Sequence, residues 1–360
     1  MKKRKLGLII TAMLTAAAVL TSCTWKMDMP TNESKTEESK AEESTVSTET
    51  KEENTNEEIT EVNESISGPV AFYGEMKTDG NRIIGSKTGE TVRVNGMSFF
   101  WSNWSQKYYT AEYVDLMAED FGCEIVRFPY GIDDNGVPYD KSDVERLDTV
   151  IEAAISKGLY VIIDWHSHGA HKNPDEAAEF FGRMAEKYGS YDNVIFEIFN
   201  EPKDTKWKEI REYAETIIPV IREHSDNLIV VGTPNWSQEV TAAAKTPVEG
   251  ENIAYALHFY AGTHKEWLRE YGDKALAAGI PLFVTEWGSV NADGNGGIDK
   301  ASTAEWLKWM DDNELSSCVW AVNDKDESSS IFVINKVVSE TGEFIKGVIK
   351  ERTDKAAWRE

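Results

Sequence analysis

Cysteine is scarce in this chain: three residues in 360, Cys23, Cys123 and Cys318. Cys123 and Cys318 sit in strand-like runs far apart in sequence, so no disulfide scaffold organises the chain. Both read as buried small apolar residues rather than a bridge. Positive charge is also short, with 38 Lys+Arg against 63 Asp+Glu and a net charge of −25. That balance repels polyanions and excludes nucleic acid and an anionic membrane face as partners. A glycine-rich phosphate turn after an early strand is missing as well. The run "DGNGG", Asp293–Gly297, comes after the seventh strand-like segment and opens no such motif, which excludes a nucleotide-binding sheet. Aromatic residues, by contrast, are plentiful: 12 Trp, 13 Tyr and 13 Phe. They serve a core, and they are also what stacks on flat, weakly polar rings.

The first residues stand apart. "MKKRK" is followed by "LGLIITAMLTAAAVL", a positive start and an apolar run of signal-peptide length. The run is too short and too one-sidedly charged for a spanning helix. It closes on "LTSC", Leu20–Cys23, which resembles a bacterial lipobox. The resemblance implies that Cys23 is lipidated and becomes the new N-terminus, on an exported cell-surface or envelope lipoprotein that is either retained there or released. From Thr24 to Ser67 there are 13 acidic residues against four lysines and almost no large apolar residue after Met29. Such a stretch buries too little surface to order itself and reads as an extended, self-repelling linker. The expected organisation is therefore a signal peptide at 1–22, a linker at 23–67 and one folded unit at 68–360, with the membrane reached only through Cys23.

Beyond the linker the chain alternates. Strand-like runs "TVRVNGMSFF", "CEIVRFPY", "YVIIDWH", "NVIFEIFN", "NLIVVGT", "IAYALHFY", "PLFVTEWG" and "SSCVWAVN" are separated by amphipathic segments. One of these, "NPDEAAEFFGRMAEKYG", starts with an asparagine cap and a proline in its first turn. Apolar β-rich runs alternating with helices imply parallel strands joined by crossovers. Eight such units in about 290 residues fit an α/β (β/α)8 TIM barrel. In that fold the chemistry lies at the C-terminal ends of the strands. Those ends carry Trp101/Asn103/Trp104, Arg127/Tyr130, His166/His168, Asn200/Glu201, Asn235/Trp236, His258/Tyr260, Glu286/Trp287 and Trp320/Asp324/Lys325.

Glu201 and Glu286 end the fourth and seventh strands, which face each other across a barrel mouth. Two opposed carboxylates in unlike environments are what glycoside hydrolysis needs: one proton donor and one ionised nucleophile. Arg127 and Tyr260 are placed to keep Glu286 charged. The neighbouring charge and a dry wall are expected to raise the proton affinity of Glu201. Retention demands a carboxyl separation of about 5–5.5 Å. Glu197, four residues earlier, reads as the buried partner of an arginine or histidine.

"IFEIFNEP", "FVTEWG", "VRFPY", "IIDWH" and "LHFYAGTH" resemble glycoside hydrolase family 5. "GMSFFWSNW" and "WAVNDKDESSS" resemble its bacterial endoglucanase subfamily. The resemblance covers about residues 70–350. It implies Glu201 as acid/base, Glu286 as nucleophile and Asn200 on the sugar 2-hydroxyl. It also implies Arg127, His166, His258 and Tyr260 as polar contacts, Trp320 and Trp104 as stacking platforms, and Lys325 and Glu327 on hydroxyls of the non-reducing side. Phe100 stands where many relatives carry a histidine, which leaves subsite preference open. The implied protein is a monomeric endo-β-1,4-glucanase acting on β-glucan without cofactor or metal. Mannan, xyloglucan and mixed-linkage glucan are the competing substrates. A tethered, non-catalytic glycan-binding lipoprotein would keep the tryptophans without needing both glutamates. His-x-His in "DWHSHGAH" also raises a zinc hydrolase, but the pair ends the third strand rather than the first.

Overall fold

The computed structural model of the protein describes residues 68–359; the apolar start, Cys23 and the acidic segment lie outside the described residues. A short helix, Pro69–Tyr73, and a hairpin of β1 (Met76–Asp79) and β2 (Arg82–Gly85) come first. The sequence pattern signals neither. Eight strands follow: β3 (Asn95–Phe99), β4 (Ile125–Gly131), β5 (Tyr160–His166), β6 (Val194–Phe199), β7 (Ile229–Val231), β8 (Ile253–Tyr260), β9 (Leu282–Gly288) and β10 (Ser317–Val322). All pair in parallel and close into a barrel in which β10 returns to β3. The expected eightfold pattern is therefore the observed one, with helices Ala111–Glu119, Asp143–Ser156, Pro174–Tyr188, Trp207–Arg222, Val240–Lys245, Glu266–Ala277, Lys300–Asp312 and Glu340–Thr353 as crossovers and closing helix. Pro174 opens its helix as read, but the Asn173 side chain makes no cap hydrogen bond. Cys123 and Cys318 are both buried and unbridged.

Every barrel-strand residue is buried except the half-buried Tyr260. Such strands read as continuous apolar runs, and only the pleat sorts their two faces. Val126, Val161, Ile163, Phe196 and Ile198 pack outward with the helix residues. Ile125, Ile162 and Ile195 point inward and pack with Val70, Tyr73, Met76 and Ile83 of the N-terminal helix and hairpin. That segment thus plugs the lower barrel. Two residues further along the same strands, the next inward positions are Arg127, Asp164 and Glu197, each fully buried. A charged layer lies directly on the apolar one. Unpaired, each of these charges would cost several kcal/mol, and their pairing sets the geometry of the mouth above.

Candidate active site

Glu201 leaves the end of β6 between Asn200 and Pro202, and its backbone is pinned on both sides. Its N–H donates to the Ser167 carbonyl (3.2 Å), and the Ser237 hydroxyl donates to the Asn200 carbonyl (2.7 Å). Glu286 lies within β9 and is 4% exposed. One oxygen of Glu201, one of Glu286 and a ring nitrogen of His258 all lie within 4.8 Å of one another. The two carboxylates therefore meet across the mouth.

Each carboxylate has its own partners. Tyr260 Oη donates to Glu286 Oε1 (2.7 Å) and Arg127 Nη1 to Glu286 Oε2 (3.0 Å). His258 Nδ1 lies 3.0 Å from Glu201 Oε1. Arg127 also donates through Nε to Glu197 Oε2 (2.7 Å) and through Nη2 to Asn200 Oδ1 (2.5 Å), and it pairs with Asp164 (2.9 Å). The Asn200 amide nitrogen is left buried with no protein partner. Glu197 is the buried ion-pair partner that its place in the strand implied.

The expected charge split needs one correction. Burial first, and then the opposing charge of Glu201, push the proton affinity of Glu286 up, while His258, Arg127 and Tyr260 pull it back. The sequence assigned the raised carboxyl to Glu201. In the fold Glu286 is the deeper group, because it sits inside a strand. Glu201 stands beyond a strand end with its side chain 14% exposed. His258 is cationic: burial opposes its charge, but Glu197 and Glu201 outweigh burial and lift it to about 9. Burial and Arg127 hold His166 far below its ordinary value. It is neutral, donating Nδ1–H to Asp164 (2.6 Å) with its ring stacked 5.3 Å from that of Trp320.

A cleft runs through this pair. One lobe, about 230 Å³, is walled by Phe100, Trp101, Trp104, Trp320, Lys325 and Glu327. Trp104 is 63% exposed at its rim. Lys325 and Glu327 form an ion pair at 2.6 Å, and Phe100 packs on Trp320 at 5.1 Å. The other lobe, about 660 Å³, is lined by Asn235, Trp236, Gln238 and His264. Both lobes share Glu201 and Glu286. Nine of the eleven site residues expected on the barrel line this cleft, while Arg127 and Asn200 are fully buried and line neither lobe. A larger hollow of about 820 Å³ involves Arg222, but that guanidinium is spent on the carbonyls of Ser225, Asn227, Glu251 and Asn252.

Trp236, placed at a strand end by the sequence but given no role there, lines the second lobe. Its ring is 39% exposed on a turn in which Asn235, Trp236 and Ser237 all have φ near +55°, a conformation no local sequence signal announces. Asp164 and Thr285 were missed. Inward alternation from Ile162 and Phe283 was the available signal. Among the described residues, the acidic and histidine groups able to converge on a cation are Glu201, His258 and Glu286. His166 and His168 are not among them: one binds Asp164, and the other donates to the Glu201 carbonyl (3.1 Å).

The family model described as "Cellulase (glycosyl hydrolase family 5)" matches residues 86–326. Endoglucanase Z of Dickeya dadantii is 45% identical over 292 residues, covering 78% of this chain and 67% of that protein. Endoglucanase A of Evansella cellulosilytica is 39% identical over 249 residues, covering 67% of this chain and 51% of its own length. The chain thus spans about half to two thirds of these curated relatives. Among solved structures, a Cytophaga hutchinsonii protein aligns with a TM-score of 0.76 at 40% identity, over 80% of this chain and 98% of its own. The catalytic domain of Thermobifida fusca endoglucanase Cel5A, as a variant in complex with cellotetraose, aligns at 0.73 and 29% identity, over 79% and 99%.

Proposed function

The chain belongs to the cellulase family, glycosyl hydrolase family 5, and on that premise we propose that it is a retaining endo-β-1,4-glucanase. The carrying observation is the carboxylate pair, whose facing oxygens lie within 4.8 Å. Glu286, aligned by Arg127 and Tyr260, attacks the anomeric carbon as the carboxylate while the Glu201 proton passes to the departing glycosidic oxygen. A covalent glycosyl-enzyme forms and the leaving sugar departs as the alcohol. Glu201, now a carboxylate, takes a proton from water, which displaces Glu286 from the same face. Two inversions give net retention.

The cleft suits a linear β-glucan. Glucosyl rings present apolar faces to Trp320, Trp104 and Trp236 and hydroxyl rims to Lys325 and Glu327. The unpartnered Asn200 amide is a ready donor for the 2-hydroxyl of the sugar being cleaved. Export and lipid attachment at Cys23, with 23–67 as tether and 68–360 as catalytic unit, rest on the charged start, the apolar run and "LTSC". A labelled fatty acid that stays with the chain supports attachment, and its absence ends that part of the proposal.

The test of the activity is reducing-sugar release by the full chain on carboxymethylcellulose, barley β-glucan, glucomannan and xyloglucan. Hydrolysis of the first two, with internal cleavage, is the expected result. Preference for glucomannan or xyloglucan would move the substrate and keep the chemistry. Binding of all four without hydrolysis would replace the enzyme with a capture protein.

A further inference from the structure

Glu197 touches no position a sugar could occupy, yet it joins the two halves of the site. Its Oε2 accepts from Arg127 Nε at 2.7 Å, the same guanidinium that holds Glu286. Its Oε1 accepts from Thr285 Oγ1 at 2.6 Å. Thr285 Oγ1 in turn lies 2.8 Å from His258 Nε2, and His258 Nδ1 lies 3.0 Å from Glu201 Oε1.

Proton counting fixes the direction of this chain. Thr285 has one hydroxyl proton and two neighbours that could take it. Glu197, paired with Arg127, is an acceptor only, so it claims that proton. Thr285 Oγ1 is then left as an acceptor toward His258, and Nε2 must carry a hydrogen. With Nδ1–H aimed at Glu201 Oε1, His258 donates at both nitrogens. Glu201 Oε1 is thereby occupied as an acceptor. The transferable proton of Glu201 is left to Oε2, which has no hydrogen-bond partner among the described residues and belongs to the side chain that lines both cleft lobes.

We propose that Glu197, acting through Thr285, is a positioning residue that fixes His258 as a double donor and so places the catalytic proton of Glu201 on the oxygen facing the glycosidic bond. The proposal rests on the glycosidase reading of Glu201 and Glu286 and adds to it the origin of proton placement. The groups facing His258 come from every surrounding element. They are Glu197 and Glu201 from β6 and its end, Thr285 and Glu286 from β9, Asp164 and His166 from β5, and Arg127 from β4 across Glu197. Only Thr285 is uncharged and non-titrating, and it is the link through which Glu197 orients the ring.

The sign of the effect follows. The Glu197 anion favours the protonated form of His258, the donor to Glu201. In Glu197→Gln the amide oxygen faces Arg127, so its NH2 turns toward Thr285. Thr285 then donates to His258, and Nε2 loses its hydrogen. The alkaline limb of kcat/KM is expected to move down by about one pH unit. The fall in kcat is expected on the order of 10²-fold with KM little changed, as for a misplaced general acid. Thr285→Val breaks the relay while leaving the Arg127–Glu197 pair intact, so it reports the relay without stranding a buried charge. Thr285→Ser restores it.

The experiment is ¹⁵N NMR of ring-labelled histidine in the full chain, with His258 assigned by its absence from His258→Asn, alongside the pH profiles. Both His258 nitrogens protonated at pH 7 in the wild type, and a bare Nε2 in Glu197→Gln, is the expected result. A bare Nε2 in the wild type overturns the proposal. So does a folded Thr285→Val with the wild-type alkaline limb and kcat. Failure of the wild type to hydrolyse any β-glucan would end the glycosidase reading, while the nitrogen signals would still decide the relay.

Discussion

Glu286→Ala and Glu201→Ala are both expected to lose activity on β-glucan polymer on the order of 10⁴-fold or more, and to differ in what rescues them. With an aryl β-cellobioside, whose leaving group needs little protonation, Glu201→Ala still forms the glycosyl-enzyme and stalls at its hydrolysis. Azide does not need the missing base and enters from the face water would use. Turnover rises and a β-glycosyl azide accumulates. In Glu286→Ala the nucleophile itself is gone, so azide attacks the substrate from the vacated side and yields the α-glycosyl azide. The two side chains meet within 4.8 Å, so proximity alone cannot assign their roles, and the azide configuration does. The opposite pattern of products would exchange acid and nucleophile. Rates, together with NMR of the azide products, are the measurement.

Arg127→Met is expected to be the most damaging substitution for the fold among the site residues. Arg127 is fully buried and is the cation shared by Asp164, Glu197 and Glu286. Removing it strands three carboxylates, and breaking a buried pair of this kind costs about 3–5 kcal/mol. In a domain of this size that is a fall in Tm on the order of 10 °C. The pH dependence carries the signature. Without the guanidinium these carboxylates have folded-state pKa values above their unfolded ones, so the deficit is full at neutral pH. It shrinks as pH falls through the folded values and the groups take up protons. Thermal melts of wild type and variant should therefore lie further apart at pH 7.5 than at pH 4.5. An equal gap at both would show that the loss is one of packing rather than charge. Arg127→Lys should not recover the site, because a single ammonium cannot replace three nitrogens aimed at Ser98, Asp164, Glu197, Asn200 and Glu286.

The mouth of the barrel was legible in the sequence because strand ends are where apolar runs stop: Glu201 stands just past one such end, and His258, Glu286 and Trp320 each stand two residues before another. The layer beneath was legible only in part: Arg127 and the ion-pair role of Glu197 were read, Asp164 and Thr285 were not. Asp164 lies inside a strand buried on both faces, where most inward and outward residues are apolar and a single charge stands out only once the inward face is known. The positioning role of Glu197 waited for its neighbours in space, Arg127 and Thr285. The depth of Glu286 was hidden for a related reason. A glutamate within a strand and one just past a strand end look alike in sequence, yet burial raises the first. The plug formed by Pro69–Tyr73 and the following hairpin is too short for a periodic signal. Trp236 depends on three successive left-handed residues, whose conformation comes from packing rather than from residue type.

The central claim is that Glu201 and Glu286 act by double displacement, and the stereochemistry of the first product tests it most directly. Full-chain protein is mixed with cellopentaose, and the anomeric proton of the newly formed reducing end is followed by ¹H NMR before mutarotation sets in. Double displacement gives the β-anomer first, with the α-anomer growing only as the sugar equilibrates. Initial appearance of the α-anomer would mean direct attack by water and would contradict it.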